Sequence, residues 1–165
     1  MQKWDIIRIR RSDKEAVREI MRQRWGSEKM AVHETIFDLT EQEGFLARKA
    51  QEVVGLLTYR MINHSEIELL SLDSFHENQG IGSALLDKLI DFARSQSLKS
   101  ICLVTTNDNM RALQFYQKRG FTLCALHCHA VARARKLKTE IPLFAENGIA
   151  IEHELELKRQ IRGDE

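Results

Sequence analysis

The 165-residue chain has a single proline, Pro142, only three cysteines, Cys102, Cys124 and Cys128, and no long apolar run. Each scarcity removes a class of protein. Three thiols cannot all pair and none stands in a C-x-x-C spacing, which argues against a disulfide framework or a zinc ribbon. The opening residues MQKWDIIRIRR interleave charged and apolar side chains without a signal-peptide core, and no stretch is long enough to span a bilayer. A soluble, cytoplasmic protein is expected, with no membrane partner. A surplus of one charge is also missing: 25 Lys and Arg against 24 Asp and Glu leave +1, so there is no electrostatic footprint for nucleic acid. Repeats, low-complexity tracts and Gly/Ser/Pro linkers are lacking too, and the chain reads as one domain over 1–165.

What is there is an ordered series of elements. DIIRIR alternates like a strand, and Ser12 to Glu15 forms an S-x-x-E capping box for a helix running to about Trp25. KMAVHETIFDL fits either an extended segment or a short helix; Val32, Glu34 and Ile36 keep a period of two. GFLARKA, EVVGLLTYRMI and EIELLSLDS read as three strands of an antiparallel meander. From Gly82 to about Ser95, Leu85, Leu86, Leu89, Ile90 and Phe92 mark an amphipathic helix, and SICLVTT follows as a buried strand. NDNMRALQFYQKRGF predicts a further helix, with Asn107 or Asp108 as N-cap and Gly120 as its stop. GFTLCALHC and GIAIEHELEL close the chain as strands. The order implies a mixed sheet in which EIELLSLDS and SICLVTT are parallel, joined by the glycine-led helix in a right-handed crossover.

HENQGIGSALL, residues 76–86, sits at the start of that helix. A dinucleotide G-x-G-x-x-G fails because its third glycine position is Leu85, and a P-loop fails because no lysine follows Gly82. Glycines without Cβ still let backbone N–H groups approach an anion where a helix N-terminus carries about half a positive charge. A pyrophosphate suits such a loop, although glycine pairs also join strands to helices for steric reasons alone.

The segment from Glu66 to Phe121 resembles the cofactor-binding core of the GNAT acetyltransferases. Leu70 and Leu72 followed by Glu77-Asn78-Gln79-Gly80-Ile81-Gly82 match the family's strand and Gln/Arg-x-x-Gly-x-Gly/Ala loop, with Glu77 departing from the usual Gln or Arg. Asn109, Ala112, Tyr116, Gly120 and Phe121 match its later Asn-x-x-Ala-x-x-x-Tyr-x-x-x-Gly-Phe pattern. The tail from Arg133 to Leu157 is similar to that of bacterial members. The resemblance implies an α/β (α+β) fold: a mixed sheet of about seven strands with a splayed parallel pair and helices on both faces. It also implies acetyl-CoA as acyl donor, with the pyrophosphate on backbone donors of Gln79, Gly80, Gly82 and Ser83. The pantetheine arm would pair with Leu70, Ser71 and Leu72, and Glu77 would turn outward from the anion.

Acetyl transfer to an amine needs a neutral nitrogen, a place for the oxyanion and a proton for the thiolate. By the resemblance Tyr116 is the expected acid; it lies seven residues, about two turns, after Asn109 on one helix face. Its other reading is a core aromatic, and Asn109 either caps its helix or touches water or pantetheine. Glu66 and Glu68, two apart on one strand, share a side and are the candidate bases, Glu68 first; histone-type members carry a glutamate at the position corresponding to Glu66. Both also read as solvent-facing strand residues, and Asp73 as a loop cap or a substrate contact.

CALHCH, residues 124–129, suggests a metal, but alternation sends Cys124 and Cys128 one way and His127 and His129 the other, so no metal is expected and buried thiols fit better. His33, His64, His76 and His153 read as surface or turn residues. The connection from about His129 to Gly148 carries Arg133, Arg135, Lys136 and Lys138 and reads as a basic face or as a wall over the acceptor pocket. The expected function is transfer of an acetyl group to a primary amine of a small molecule by direct attack in a ternary complex, with a homodimer left open. The rivals are acetylation of a protein amine, a non-catalytic acyl-CoA-binding regulator, and a nucleotide-binding protein unrelated to CoA.

Overall fold

A computed structural model describes residues 4–77 and 79–161. Its elements run β1 (Asp5–Arg8), α1 (Lys14–Trp25), β2 (Lys29–Val32), β3 (Thr35–Asp38), β4 (Glu43–Lys49), β5 (Glu52–Met61), β6 (Glu66–Ser74), α2 (Ile81–Ser95), β7 (Ser100–Thr106), α3 (Met110–Lys118), β8 (Thr122–His127), α4 (Ala130–Ala134) and β9 (Glu154–Gln160). Seven strands form one mixed sheet in the order β1-β4-β5-β6-β7-β9-β8, with one parallel pair, and β2 and β3 form a separate two-stranded sheet. The mixed α/β fold and the meander expected from the alternation of β4, β5 and β6 are both present, antiparallel at each step. By its contacts the chain divides into two compact units: residues 1–28, 38–101 and 161–165, and residues 29–37 with 102–160.

In the first unit α2 supplies the largest apolar stripe. Ile81, Leu85, Leu86, Leu89, Ile90 and Ala93 are all buried, each larger side chain contributing roughly 1.5–3 kcal/mol by leaving water. The helix lies close on β5 because residue 55 has no side chain: a Cβ on Gly55 would stand 2.5 Å from Ile81 Cγ2 and 2.9 Å from Leu85 Cδ1. β6 carries a bulge, since Thr58 faces Ser71 and Tyr59 faces Leu69, leaving Leu70 with no partner on β5. Phe45, Tyr59 and Phe92 cluster at 5.5–6.2 Å between ring centres, with the Arg8 guanidinium 4.6 Å above Phe92 and donating to Tyr59 Oη at 2.6 Å. Burial pushes the Tyr59 phenol up.

The buried acids of this unit are held by guanidinium groups. Asp13 accepts from the Arg10 backbone N–H at 2.8 Å and from Arg48 at 2.7 Å, and the hydrogen bond from the Arg10 side chain leads the effects that hold its carboxyl below the usual range. It corrects one expectation: the helix is not opened by a Ser12–Glu15 box. A 3-10 turn over residues 11–13 precedes α1, and Asp13 is the residue that fastens it. Gly26, left-handed at φ +75°, ends α1 after Trp25 as expected.

In the second unit α3 begins one to two residues later than expected. Asn109 takes its cap reading and is the N-cap in place of Asn107 or Asp108, its Oδ1 accepting from Ala112 N–H at 3.1 Å, and Gly120 follows the helix at φ +86°. Asn107 is spent over a longer range: its amide accepts from the N–H groups of Glu152 and His153 and donates to Ala150 O. β9 starts at Glu154 rather than Gly148, because residues 148–153 are shaped by these bonds instead of by a ladder. The ambiguous segment is a hairpin. β2 and β3 are joined by His33 and Glu34, both left-handed at φ 51° and 61°, the backbone of a two-residue type I′ turn that normally takes Asn-Gly. The connection from His129 is fastened by Arg135, which donates to Ile141 O, Pro142 O and Ile151 O.

Candidate active site

Position by position, the loop after β6 has the character of an anion seat. Gly80 takes φ +76° as N-cap of the 15-residue α2, and the first intrahelical bond runs from Ala84 N–H to Gly80 O at 3.0 Å. A left-handed cap costs a residue with Cβ about 1 kcal/mol and glycine almost nothing. The N–H groups of the first turn have no intrahelical acceptor, and no acidic residue stands in that turn to compete with an anion. Gln79 and Gly80 are exposed and Gly82 and Ser83 half-buried; Ile81 is buried, its side chain committed to the core. Glu77 is exposed, and Asn78 lies outside the described residues. On β6, Leu70 is buried at the bulge, Leu72 is half-buried and Ser71 shares a 2.6 Å hydrogen bond with Thr58.

The acids of β6 divide. Glu68 is 1% exposed and accepts from Arg60 Nε at 2.8 Å, while Ser100 Oγ donates to Glu66 at 2.5 Å. Each carboxylate is held by a side-chain donor on one oxygen. Neither is simply solvent-facing. Asp73 pairs with Leu56 through the β5–β6 ladder, and burial pushes its carboxyl up to about 6 against the pull of Arg24. Tyr116 is buried on α3 with its ring edge-on to Phe115 and Phe121 at 5.1 and 5.4 Å. A cleft of about 620 Å³ in the first unit is bounded by Arg8, Tyr59, Met61, His64, Phe92 and Gln96, at the far end of α2 from Gly80.

The second unit holds a group that sequence reasoning missed. Glu154 is 4% exposed, and its Oε2 accepts no hydrogen bond. Burial pushes its carboxyl up, opposed by His33 and His127. His33 Nδ1 stands 4.0 Å from that oxygen, and the His33 and His127 rings meet edge-on at 6.0 Å. His127 Nε2 in turn lies 3.1 Å from Glu156. The signal available in the sequence was the repeated acid of IEHELEL beside LHCH, but alternation alone reads it as a half-exposed strand. The thiols of CALHCH are corrected: Cys124 and Cys128 are exposed, because a bulge disturbs β8 between Leu123 and Ala125 and Cys128 lies beyond the strand. Cys102 is the buried thiol. His129, Glu152 and His153 gather within 4.8 Å, but His153 Nδ1 already accepts the His129 backbone N–H at 2.8 Å. A neutral His153 therefore keeps its proton on Nε2 and offers a metal no lone pair there.

Residues 8–121 match the model of the Acetyltransferase (GNAT) family. The chain belongs to the GNAT acetyltransferases. It is an enzyme of the acyl-CoA N-acyltransferase class. An uncharacterized protein of Bacillus subtilis, YxbD, is 42% identical over 159 residues, 96% of this chain and 99% of that protein. Among solved structures, a GNAT acetyltransferase from Elizabethkingia anophelis with acetyl-CoA bound shares the fold at TM-score 0.68 and 22% identity, over 97% and 99% of the two chains. Arabidopsis thaliana Naa50, in complex with the bisubstrate analogue CoA-Ac-MVNAL, does so at 0.69 and 16%, over 96% and 99%. The donor that this GNAT membership implies fits the residues present: a left-handed glycine, an acid-free first turn and open space at Gly80 suit a pyrophosphate. No helix among the described residues is long and apolar enough to cross a membrane.

Proposed function

We propose that this chain transfers an acetyl group from acetyl-CoA to a primary amine of a small molecule, by direct attack within a ternary complex, and that its two units serve as one catalytic domain. The observation that carries the reading is the left-handed Gly80 opening a long helix whose first turn holds no acid, directly after the bulged β6. Acetyl-CoA supplies the acyl group as a thioester whose carbonyl carbon accepts an amine. Main-chain donors from Gln79 to Ser83 hold the diphosphate, and Leu70 to Leu72 offer main-chain groups to the pantetheine arm. Tyr116 gives a proton to the departing sulfur. Asn109 acts through its cap, keeping the first turn of α3, and with it Tyr116, in register.

Thiol release from acetyl-CoA over a panel containing tyramine, spermidine and an N-terminally free peptide tests the reading. Turnover is expected with at least one small amine. Turnover with the peptide alone would move the acceptor to proteins, and tight calorimetric binding of acetyl-CoA without any turnover would make the chain a regulatory binding module. Stabilisation by ATP or NAD but not by CoA would break the reading altogether. Tyr116→Phe is expected to lower kcat about 100-fold with little change in acetyl-CoA affinity.

A further inference from the structure

Glu154 is unusual among the buried acids of this chain. Asp13 and Glu68 each lie against arginine, whereas Glu154 takes a hydrogen bond from the His33 backbone and keeps its other oxygen, Oε2, out of solvent and without a donor. A buried carboxylate oxygen without a donor is costly and calls for an explanation at that position. The side chains around it favour one ligand chemistry, a cation. From the β2–β3 turn come His33, 4.0 Å away, and Glu34; from β8 comes His127, directly opposite Glu154 in the strand register; along β9 stands Glu156, hydrogen-bonded to His127. The nearby cation Arg133 is taken by Glu34 and by Cys128 O. Two imidazoles and an excess of carboxylate therefore border an oxygen that lacks a donor.

The turn that brings His33 there is strained. Two consecutive side-chain-bearing residues stand in the left-handed region, which L side chains disfavour, and the fold holds both, Glu34 through Arg133 and His33 against Glu154. Strain of this kind persists where surrounding contacts over-determine it, and it collects at working sites.

We infer that Glu154 is the carboxylate that receives the acceptor's ammonium and removes its proton, with His33 and His127 passing that proton to solvent. The inference rests on the acetyl-transfer reading above and narrows its substrate to aliphatic primary amines that arrive as cations. In the step, an N–H bond of R–NH3+ breaks, the electron pair stays on nitrogen and the proton goes to Glu154 Oε2. That pair then forms the C–N bond as the C–S bond breaks. The second amine proton replaces the one that Tyr116 gives to sulfur, so the products are R–NH–CO–CH3, CoA-SH and one released proton.

Glu154→Gln, assayed with an amine that the native chain turns over, is expected to lower kcat/KM about 100-fold and to remove the acidic limb of its pH profile. Acetyl-CoA affinity by calorimetry should be unchanged. Glu154→Asp should recover part of the rate. The inference is overturned if Glu154→Gln stays within about twofold of the native rate, if it loses acetyl-CoA binding and rate together, or if Glu68→Gln rather than Glu154→Gln removes the acidic limb. Failure of the native chain to acetylate any amine sinks the broader reading instead. Spermidine titrated calorimetrically into both proteins then decides this one: binding at least tenfold weaker to Glu154→Gln keeps the ammonium site, and equal binding ends it.

Discussion

The β4–β5–β6 meander and the β8–β9 pair treat a buried acid in opposite ways. In the meander Glu68 is matched by Arg60 across the strands at 2.8 Å; on β9, Glu154 is as deeply placed and keeps an oxygen with no donor. A matched acid fixes register and holds the sheet. An oxygen left without a donor burdens the fold, and such a burden makes sense where a cation is meant to arrive.

Substitutions can break this contrast, beginning with the largest expected effect. Arg60→Ala should cost about 3 kcal/mol in a urea titration, because it removes a charged hydrogen bond from the buried Glu68 carboxylate. Glu154→Gln should move stability the other way at neutral pH. If both lower it equally, the two acids are not different in kind. Asp73→Asn sharpens the point within the first unit. With its folded pKa raised to about 6 from 3.8, the native carboxylate weighs on stability fully at pH 8 and not at all once pH falls below its unfolded value. The asparagine variant should gain up to about 2 kcal/mol at pH 8, and the gain should fade through pH 6 and vanish near pH 4 in paired melting curves. Gly80→Ala is the mildest, losing about 1 kcal/mol to left-handed strain. Open space around residue 80 means that no clash adds to it.

Much of the fold was legible because its local signals agree with its tertiary ones. The stripe of Leu85, Leu86, Leu89 and Ile90 is both a helical period and the buried face of α2, and Gly26 and Gly120 end helices at the left-handed positions that glycine favours. The β2–β3 turn was illegible because its two residues carry none of the usual turn chemistry; contacts with Arg133 and Glu154 hold what local preference resists. The N-cap of α3 was ambiguous among three residues for a related reason. Asn107, Asp108 and Asn109 are equally good caps by residue type, and the bonds of Asn107 to residues 150–153 lie more than forty positions away. At the candidate site, the loop was visible through its glycines. Glu154 was hidden because alternation reports which side a residue takes, not what covers that side.

Arg135 fixes the route of the chain between α4 and β9 through three main-chain oxygens, none of which depends on what side chain its residue bears. The tip of that route can therefore trade Leu143 and Phe144, both largely exposed, for other chemistries while its course stays the same. Descendants of this chain could diversify there by point replacement alone, with one cation preserving the scaffold through each change.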